Sequence, residues 1–301
     1  MSDGELLYTG SVKRVFSVPG HPDRVRFQFS DRISVFDKWI PNTVPDKGEV
    51  ICRTAAFWFR ALEEAGVPTH FIDQPSPTEL IVKRITVEHD YARMAPGRPS
   101  VLLPCEFIIR HYAAGSFYDR MQGGALPDFP PDSLEYGDEL EVPFCETSTK
   151  VEPTDRLIDE AEALRISGMS DLELEAIWAA SLRIDEIIAT QVIRGGLIHA
   201  DGKKEWGRDA DGELMLVDVL GTPDEDRWWD AEAWSRGEVV QLSKEFVRQH
   251  YRETGYKDAL YAARVAGAPE PEIPPMPDAL VAQARALYID LFERITQESF
   301  R

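Results

Sequence analysis

The sequence predicts an α+β protein, and three observations carry the prediction. Residues 6–90 run in short stretches of alternating apolar and polar positions, the period-two signature of strands, around one helical stretch at 50–65. Residues 196–218 read as a hairpin, two apolar runs joined by a polar turn at 209–212. Long amphipathic helices are expected at 170–194 and 277–297. The polar, Pro/Gly-bearing stretch 91–99 is the expected boundary between an N-terminal antiparallel sheet domain (1–98) and a larger α/β domain (99–301).

Composition narrows the function. Acidic residues number 53 against 33 basic, a net charge of -20. Nucleic acids and anionic membranes attract a basic footprint, so neither is an expected partner, whereas a small anionic substrate needs only a local cluster of Lys and Arg. Cys52, Cys105 and Cys145 are odd in number and far apart, which argues against a disulfide framework or a Cys-x-x-Cys metal site. The first residues lack the basic-then-apolar pattern of a signal peptide and no apolar run is long enough to span a bilayer, so a cytoplasmic protein is expected.

In chain order, residues 6–16 read as strand, glycine turn and strand. Gly10 lets backbone N–H groups approach a phosphate, and Lys13 would neutralise it; an ordinary hairpin has the same pattern. A strand at 24–29 opens into a loop with Asp31, Ser34 and Asp37, which suits a binding edge or simple turn capping. Residues 45–49, with Lys47 and Gly48, read as a second loop before the helix at 50–65, which Gly66 closes. Strands follow at 70–73 and 80–85, the latter with Lys83. After the strand at 101–110, Arg110 and Ser116 form either an anion seat or a surface arginine beside a helix cap. Residues 123–142 read as a loop and 144–155 as a polar segment. Ser170 and Glu173 fit a capping box for the next helix, which Gly195 and Gly196 stop. Residues 243–251 read as a short helix with Lys244 and Arg248 four apart.

The hairpin is the part that most looks like a site. Asp201, Lys203 and Glu205 alternate, so they share one face, while Gly202, Lys204 and Trp206 share the other. Asp218 ends the second strand within reach of Glu205. Paired carboxylates beside a lysine suit Mg²⁺ and phosphate oxygens, or a solvated, charge-decorated hairpin.

Taken in order, Tyr-Thr-Gly-Ser-Val-Lys-Arg-Val-Phe (8–16), Ser-Asp-Arg-Ile-Ser-Val-Phe-Asp (30–37), Pro-Asp-Lys-Gly-Glu (45–49), Leu-Pro-Cys-Glu-Phe-Ile-Ile-Arg-His-Tyr-Ala-Ala-Gly-Ser (103–116), the hairpin with Thr-Pro-Asp-Glu-Asp-Arg-Trp-Trp (222–229) and Lys-Glu-Phe-Val-Arg (244–248) resemble the SAICAR synthetase family of purine biosynthesis. The resemblance implies an N-terminal domain like a kinase small lobe, an ATP cleft between the two domains, and an ATP-dependent ligase that joins L-aspartate to carboxyaminoimidazole ribonucleotide through a carboxyl phosphate. It implies ATP and Mg²⁺ as cofactors, small-molecule substrates as partners, and leaves a homo-oligomer open.

By the same resemblance, Gly10, Ser11, Val12, Lys13 and Val15 would cover ATP, joined by Lys83, and Glu205 and Asp218 would hold the metal. Lys203 would sit between nucleotide and acceptor, with Lys13 and Arg227 as the other catalytic cations. Glu106, Arg110, Ser116, Arg227, Lys244 and Arg248 would line the ribonucleotide site, with Asp31, Ser34, Asp37, Lys47 and Gly48 on the acceptor side. The chain departs from the pattern at Ser11 (a lysine), Val219 (an acid), Asp226 (a serine) and Thr154-Asp155 (a His-Asp pair). A lost lysine and an added acid are expected to make the cleft more negative. A ligase for a different amine or acceptor, or a homologue without catalysis, are the alternatives these departures raise.

Overall fold

The computed structural model describes residues 4–301. Its N-terminal sheet is antiparallel throughout, in the order β1 (Leu6–Thr9), β2 (Lys13–Val18), β3 (His21–Phe29), β7 (Glu79–Lys83), β6 (Phe71–Ser76). Along β3, Val25, Phe27 and Phe29 are buried while Arg24, Arg26 and Gln28 face outward, the alternation a half-covered sheet requires. Helix α1 (Lys47–Glu64) covers that buried face with Val50, Ile51, Trp58, Phe59 and Leu62. A two-stranded ribbon, β4 (Ser34–Val35) and β5 (Lys38–Trp39), stands apart.

The second sheet is also antiparallel: β10 (Leu157–Ile158), β9 (Glu139–Thr149), β8 (Val101–Tyr112), β11 (Leu197–Arg208). The far edge of β11 is shared. β13 (Arg227–Asp230) pairs with residues 197–201 and β12 (Leu214–Val217) with residues 205–208. Between them the edge is left open, and the loop of residues 218–226 turns away there. One face of this sheet is packed by α3 (Glu160–Ser167) and α4 (Asp171–Val192); α2 (Gly115–Gln122) and α5 (Ala231–Ser235) flank it. The chain ends in α6 (Glu245–Glu253), α7 (Tyr256–Ala266) and α8 (Asp278–Thr296), and α8 packs on α1. One cluster of buried side chains runs continuously from Phe27 and Trp58 to Phe107, Trp206 and Tyr288 and so joins both sheets. No helix of the described residues is long and apolar enough to cross a membrane.

The α+β class, the glycine-turn strands, the hairpin and the capped helix at Ser170 all form. Ser170 Oγ accepts from Glu173 N at 3.3 Å, and Ser170 N donates to the Glu173 carboxylate at 2.8 Å. Other expectations are corrected. Helix α1 starts at Lys47 rather than 50, because Gly48 packs into the turn against residues 29–30, where a Cβ would come within 3.0 Å of Ser30. The first half of the polar segment at 144–155 belongs to strand β9; its Ser, Thr and Glu side chains mask the pattern because one face of the sheet is a polar cleft. Helices α3 and α7 and strand β13 were not expected.

Candidate active site

Three strands bring the charges together. On the cleft face of the second sheet, β8 contributes Glu106 and Arg110, β9 contributes Glu146 and Ser148, and β11 contributes Asp201, Lys203 and Glu205. Register sets them side by side: Glu205 pairs with Glu106, Asp201 with Arg110, Glu106 with Ser148 and Arg110 with Phe144. Side chains on one face of neighbouring strands lie close enough to interact, so the sheet itself builds the cluster.

Lys203 is its centre. Its ammonium lies 2.7 Å from Glu106, 3.1 Å from Glu225 and 3.5 Å from Glu205. Lys150, at the end of β9, bridges Glu106 at 2.9 Å and Glu205 at 2.7 Å. Against the cost of burial, Lys203 and Lys150 hold the Glu106 carboxyl down at about 2. Burial works against the Lys203 charge as well, but Glu225, Glu205 and Glu106 raise its pKa well above the ordinary lysine value, so it is a fixed cation and not a proton acceptor. Glu205 moves the opposite way from Glu106. Burial and the neighbouring Asp218 push it up, and the two lysines offset this only in part.

Asp218 closes β12 in the left-handed region (φ 59), a conformation asparagine and aspartate tolerate better than most residues and one that often marks a functional turn. Its carboxylate accepts from Val219 N at 2.7 Å and pairs with Lys13 of the first sheet. Despite burial, Lys13 and Lys150 keep Asp218 ionised. Lys13 also lies 4.7 Å over the Phe27 ring. The turn before Lys13 is closed by a hydrogen bond from Gly10 N to Lys13 O at 2.9 Å. The glycine turn and the hairpin thus meet across the two sheets.

Next to this cluster is a cavity of about 590 Å³. Arg110, Ser116, Arg120, Lys203, Lys244 and Arg248 line it, together with Asp155, Asp201 and Glu245. Arg110 is held by Glu146 (2.7 Å from Nε) and donates to Ser116 Oγ at 3.2 Å; Arg120 donates to the other Glu146 oxygen at 2.5 Å. Arg227 pairs with Asp201, while its buried Nε has no partner among the described residues. Gly115, at φ +54, lets Arg227 in: a Cβ there would sit 2.5 Å from its guanidinium. Burial, Arg248 and Lys47 lower the Lys244 pKa although Asp224 opposes them, so an anion beside it would favour its charged form. Burial and Glu106 raise Asp155.

Of the residues expected from sequence, Lys13, Glu106, Lys203, Glu205 and Asp218 form one contiguous cluster, and Arg110, Ser116, Arg227, Lys244 and Arg248 surround the adjoining cavity. Ser11 is exposed in the glycine turn, Val12 is buried beneath it, and Val15 packs on the core. Lys83 is exposed on β7, its backbone N–H donating to His70 O at 2.7 Å, and is not brought into the cluster. The acceptor-side loops are not drawn into the cavity. Asp31 accepts from Gly48 N at 2.9 Å, Ser34 lies on β4, and Asp37 is exposed, 3.6 Å from Arg264. Lys47 is fully buried against Asp224 at 2.7 Å, with no exposed surface to offer a ligand. Asp226 does not add free charge to the cleft, contrary to expectation: it is fully buried, accepting from Gly221 N at 3.1 Å and facing His199 at 2.6 Å. Val219 is likewise buried in the core. Glu146, Arg120, Glu225 and Glu245 were not singled out; the strand hidden in 144–149 was the missing signal for Glu146.

The sequence model of the SAICAR synthetase family matches residues 6–263. A phosphoribosylaminoimidazole-succinocarboxamide synthase from Thermoplasma acidophilum is 44% identical over 303 residues, covering 98% of this chain and 100% of that protein. The Thermoplasma volcanium enzyme of the same name is 44% identical over 301 residues, with 98% and 100% covered. Among solved structures, a SAICAR synthetase in complex with ADP superposes with TM-score 0.72 at 25% identity, covering 99% of this chain and 100% of that one. SAICAR synthase from Saccharomyces cerevisiae, complexed with SAICAR, superposes with TM-score 0.73 at 25% identity, covering 98% and 96%.

Proposed function

Because the chain belongs to the SAICAR synthetase family, we infer that it is an ATP-dependent ligase of purine biosynthesis that joins L-aspartate to the carboxylate of carboxyaminoimidazole ribonucleotide, giving the succinocarboxamide, ADP and phosphate. ATP phosphorylates the carboxylate, and the amino group of aspartate displaces phosphate from the resulting carboxyl phosphate. Nothing in the relatives or the site favours a different amine or acceptor.

The observation that carries the assignment of roles is the meeting of Lys13 with Asp218, beside the Lys203 cluster and the arginine-lined cavity. In this reading the glycine turn at Gly10 to Val12 covers the ATP phosphates, and Lys13 supplies a cation to them. Glu205 and Asp218 suit Mg²⁺, because burial and mutual repulsion leave negative charge that the lysines do not fully answer. Bound there, Mg²⁺ would offset phosphate charge during transfer. Lys203, fixed as a cation by three carboxylates, stabilises charge developing between nucleotide and acceptor rather than moving protons. Arg110, Ser116, Arg227, Lys244 and Arg248 seat the ribonucleotide phosphate, with the unpartnered Arg227 Nε and the cavity-lining Lys244 as ready donors. The enzyme acts in the cytoplasm on small molecules.

The test is a reaction containing the ribonucleotide, aspartate, ATP and Mg²⁺, read as ADP release and product mass. ADP release must depend on both acceptor and aspartate, and the product must carry the succinocarboxamide mass. Full ATP turnover without aspartate, or no turnover with both present, overturns the reading.

A further inference from the structure

The opposite face of β11 carries a second cluster that the ligase chemistry does not use. Lys204 points there, away from Lys203, and is fully buried in an ion pair with Asp185 Oδ1 of α4. The other Asp185 oxygen lies 2.9 Å from His111 Nε2, at the end of β8. His199, at the start of β11, has its Nδ1 at 3.8 Å from Asp185. One ligand atom from each of His111, Asp185 and His199 lies within 4.8 Å of the others.

The state of His199 is the telling feature. Its Nε2 is taken by Asp226 at 2.6 Å, while its Nδ1 is buried with no hydrogen-bond partner among the described residues. A buried ring nitrogen without a partner is costly, whether it carries a lone pair or a proton. A carboxylate on one imidazole nitrogen, with the other nitrogen free and aimed at a second histidine and a carboxylate, is the arrangement by which proteins orient a metal-binding histidine. Around the two imidazoles stand two carboxyls, Asp185 and Asp226, and one ammonium, Lys204. Asp185 and His199 are only 1% exposed, but the His111 side chain is 26% exposed and provides a way in.

We propose that His111, Asp185 and His199 form a second divalent-cation site, on the face of the sheet opposite the ligase cleft, with Asp226 orienting His199. Two imidazoles and one carboxylate select a borderline transition ion of the Zn²⁺ or Co²⁺ class over Mg²⁺. To bind the cation through Nε2, His111 takes the tautomer that carries its proton on Nδ1, the proton moving by exchange with solvent, while Lys204 keeps Asp185 Oδ1. The cation ties β8, α4 and β11 together and, through Asp226, braces the loop that leads into Arg227.

The experiment uses the full chain, stripped with chelator and dialysed, titrated with Co²⁺ in the absence of ATP. One Co²⁺ per chain with visible d–d absorption is expected, displaced by Zn²⁺, with Zn²⁺ also raising Tm. His111→Ala, at the partly exposed ligand, must abolish the band and the Tm rise, as must Asp185→Asn. Asp226→Asn should weaken binding by about 10- to 100-fold. Glu205→Gln must leave the band unchanged, which separates this site from the cleft. If His111→Ala fails to fold by circular dichroism, His111→Gln takes its place. Absence of a band and of a Tm rise in the parent protein, or their persistence in the folded His111 variant, overturns the proposal.

Discussion

Lys47→Met should damage stability far more than a surface charge change, and its pH dependence should reveal why. Lys47 Nζ and Asp224 Oδ2 are 2.7 Å apart with side-chain exposures of 0% and 2%, and Asp224 Oδ1 accepts from Tyr288 OH at 2.5 Å. Although burial opposes it, Lys47 holds the Asp224 carboxyl at about 2, below the ordinary 3.8. At about 1.4 kcal/mol per pH unit, that is about 2 kcal/mol in favour of the ionised form. Removing the lysine leaves that charge buried without its partner, which typically costs about 3 to 5 kcal/mol. Because the folded pKa is depressed, the pair's contribution is complete above the unfolded value near 3.8 and is lost as pH falls toward 2. Urea unfolding of parent and Lys47→Met should therefore differ by about 3 to 5 kcal/mol at pH 7, and the gap should close by about 2 kcal/mol as pH drops below 4. Adding Asp224→Asn should restore much of the loss at neutral pH, because no charge is then left buried. A loss under about 1 kcal/mol, the surface-pair range, or an equal deficit at both pH values, would refute the buried-pair reasoning.

Three further outcomes follow from the site. Glu205→Gln or Asp218→Asn should lower Mg²⁺-dependent ADP release at least about a hundredfold, an order of several kcal/mol of charge stabilisation, with the circular dichroism spectrum retained; near-parental turnover would remove them from the metal site. Gly115→Ala should raise KM for the ribonucleotide more than it lowers kcat, because the added Cβ meets the Arg227 guanidinium at 2.5 Å, and steady-state kinetics against each substrate separate the two effects. Burial pushes the Cys52 and Cys105 thiols up to about 12 and raises Cys145 as well, but Cys145 alone of the three is exposed, so at pH 8 a thiol reagent should label it alone in the folded protein, as peptide mass mapping would show.

Much of this site was legible because strand periodicity is simple. Asp201, Lys203 and Glu205 alternate in sequence and share a face in space, and Gly10 with Lys13 marks a turn that needs no tertiary knowledge. The resemblance then ordered these fragments into one cleft. What the sequence hid depended on partners far along the chain. Lys47 and Gly48 look like an accessible loop, yet 177 residues separate Lys47 from the Asp224 that buries it. Residues 144–155 read as a polar segment because in their first half the face that would reveal a strand is turned to the cleft, and so the sequence does not mark Glu146, which holds both Arg110 and Arg120. Asp226 looked like an added cleft charge, and only the fold shows His199 opposite it.

The loop from Asp224 to Arg227 has a consequence for how this enzyme can change. Four consecutive side chains each answer a different partner: Asp224 to Lys47, Glu225 to Lys203, Asp226 to His199 and Arg227 to Asp201. A lone replacement at any of these positions strands a charge or a ring nitrogen in another part of the molecule, so its effect depends on what stands opposite. Variation here should therefore travel in couples, one change in the loop with one in its distant counterpart. A library that randomises the loop by itself should return few working sequences, while one that varies each position jointly with its counterpart should return many more.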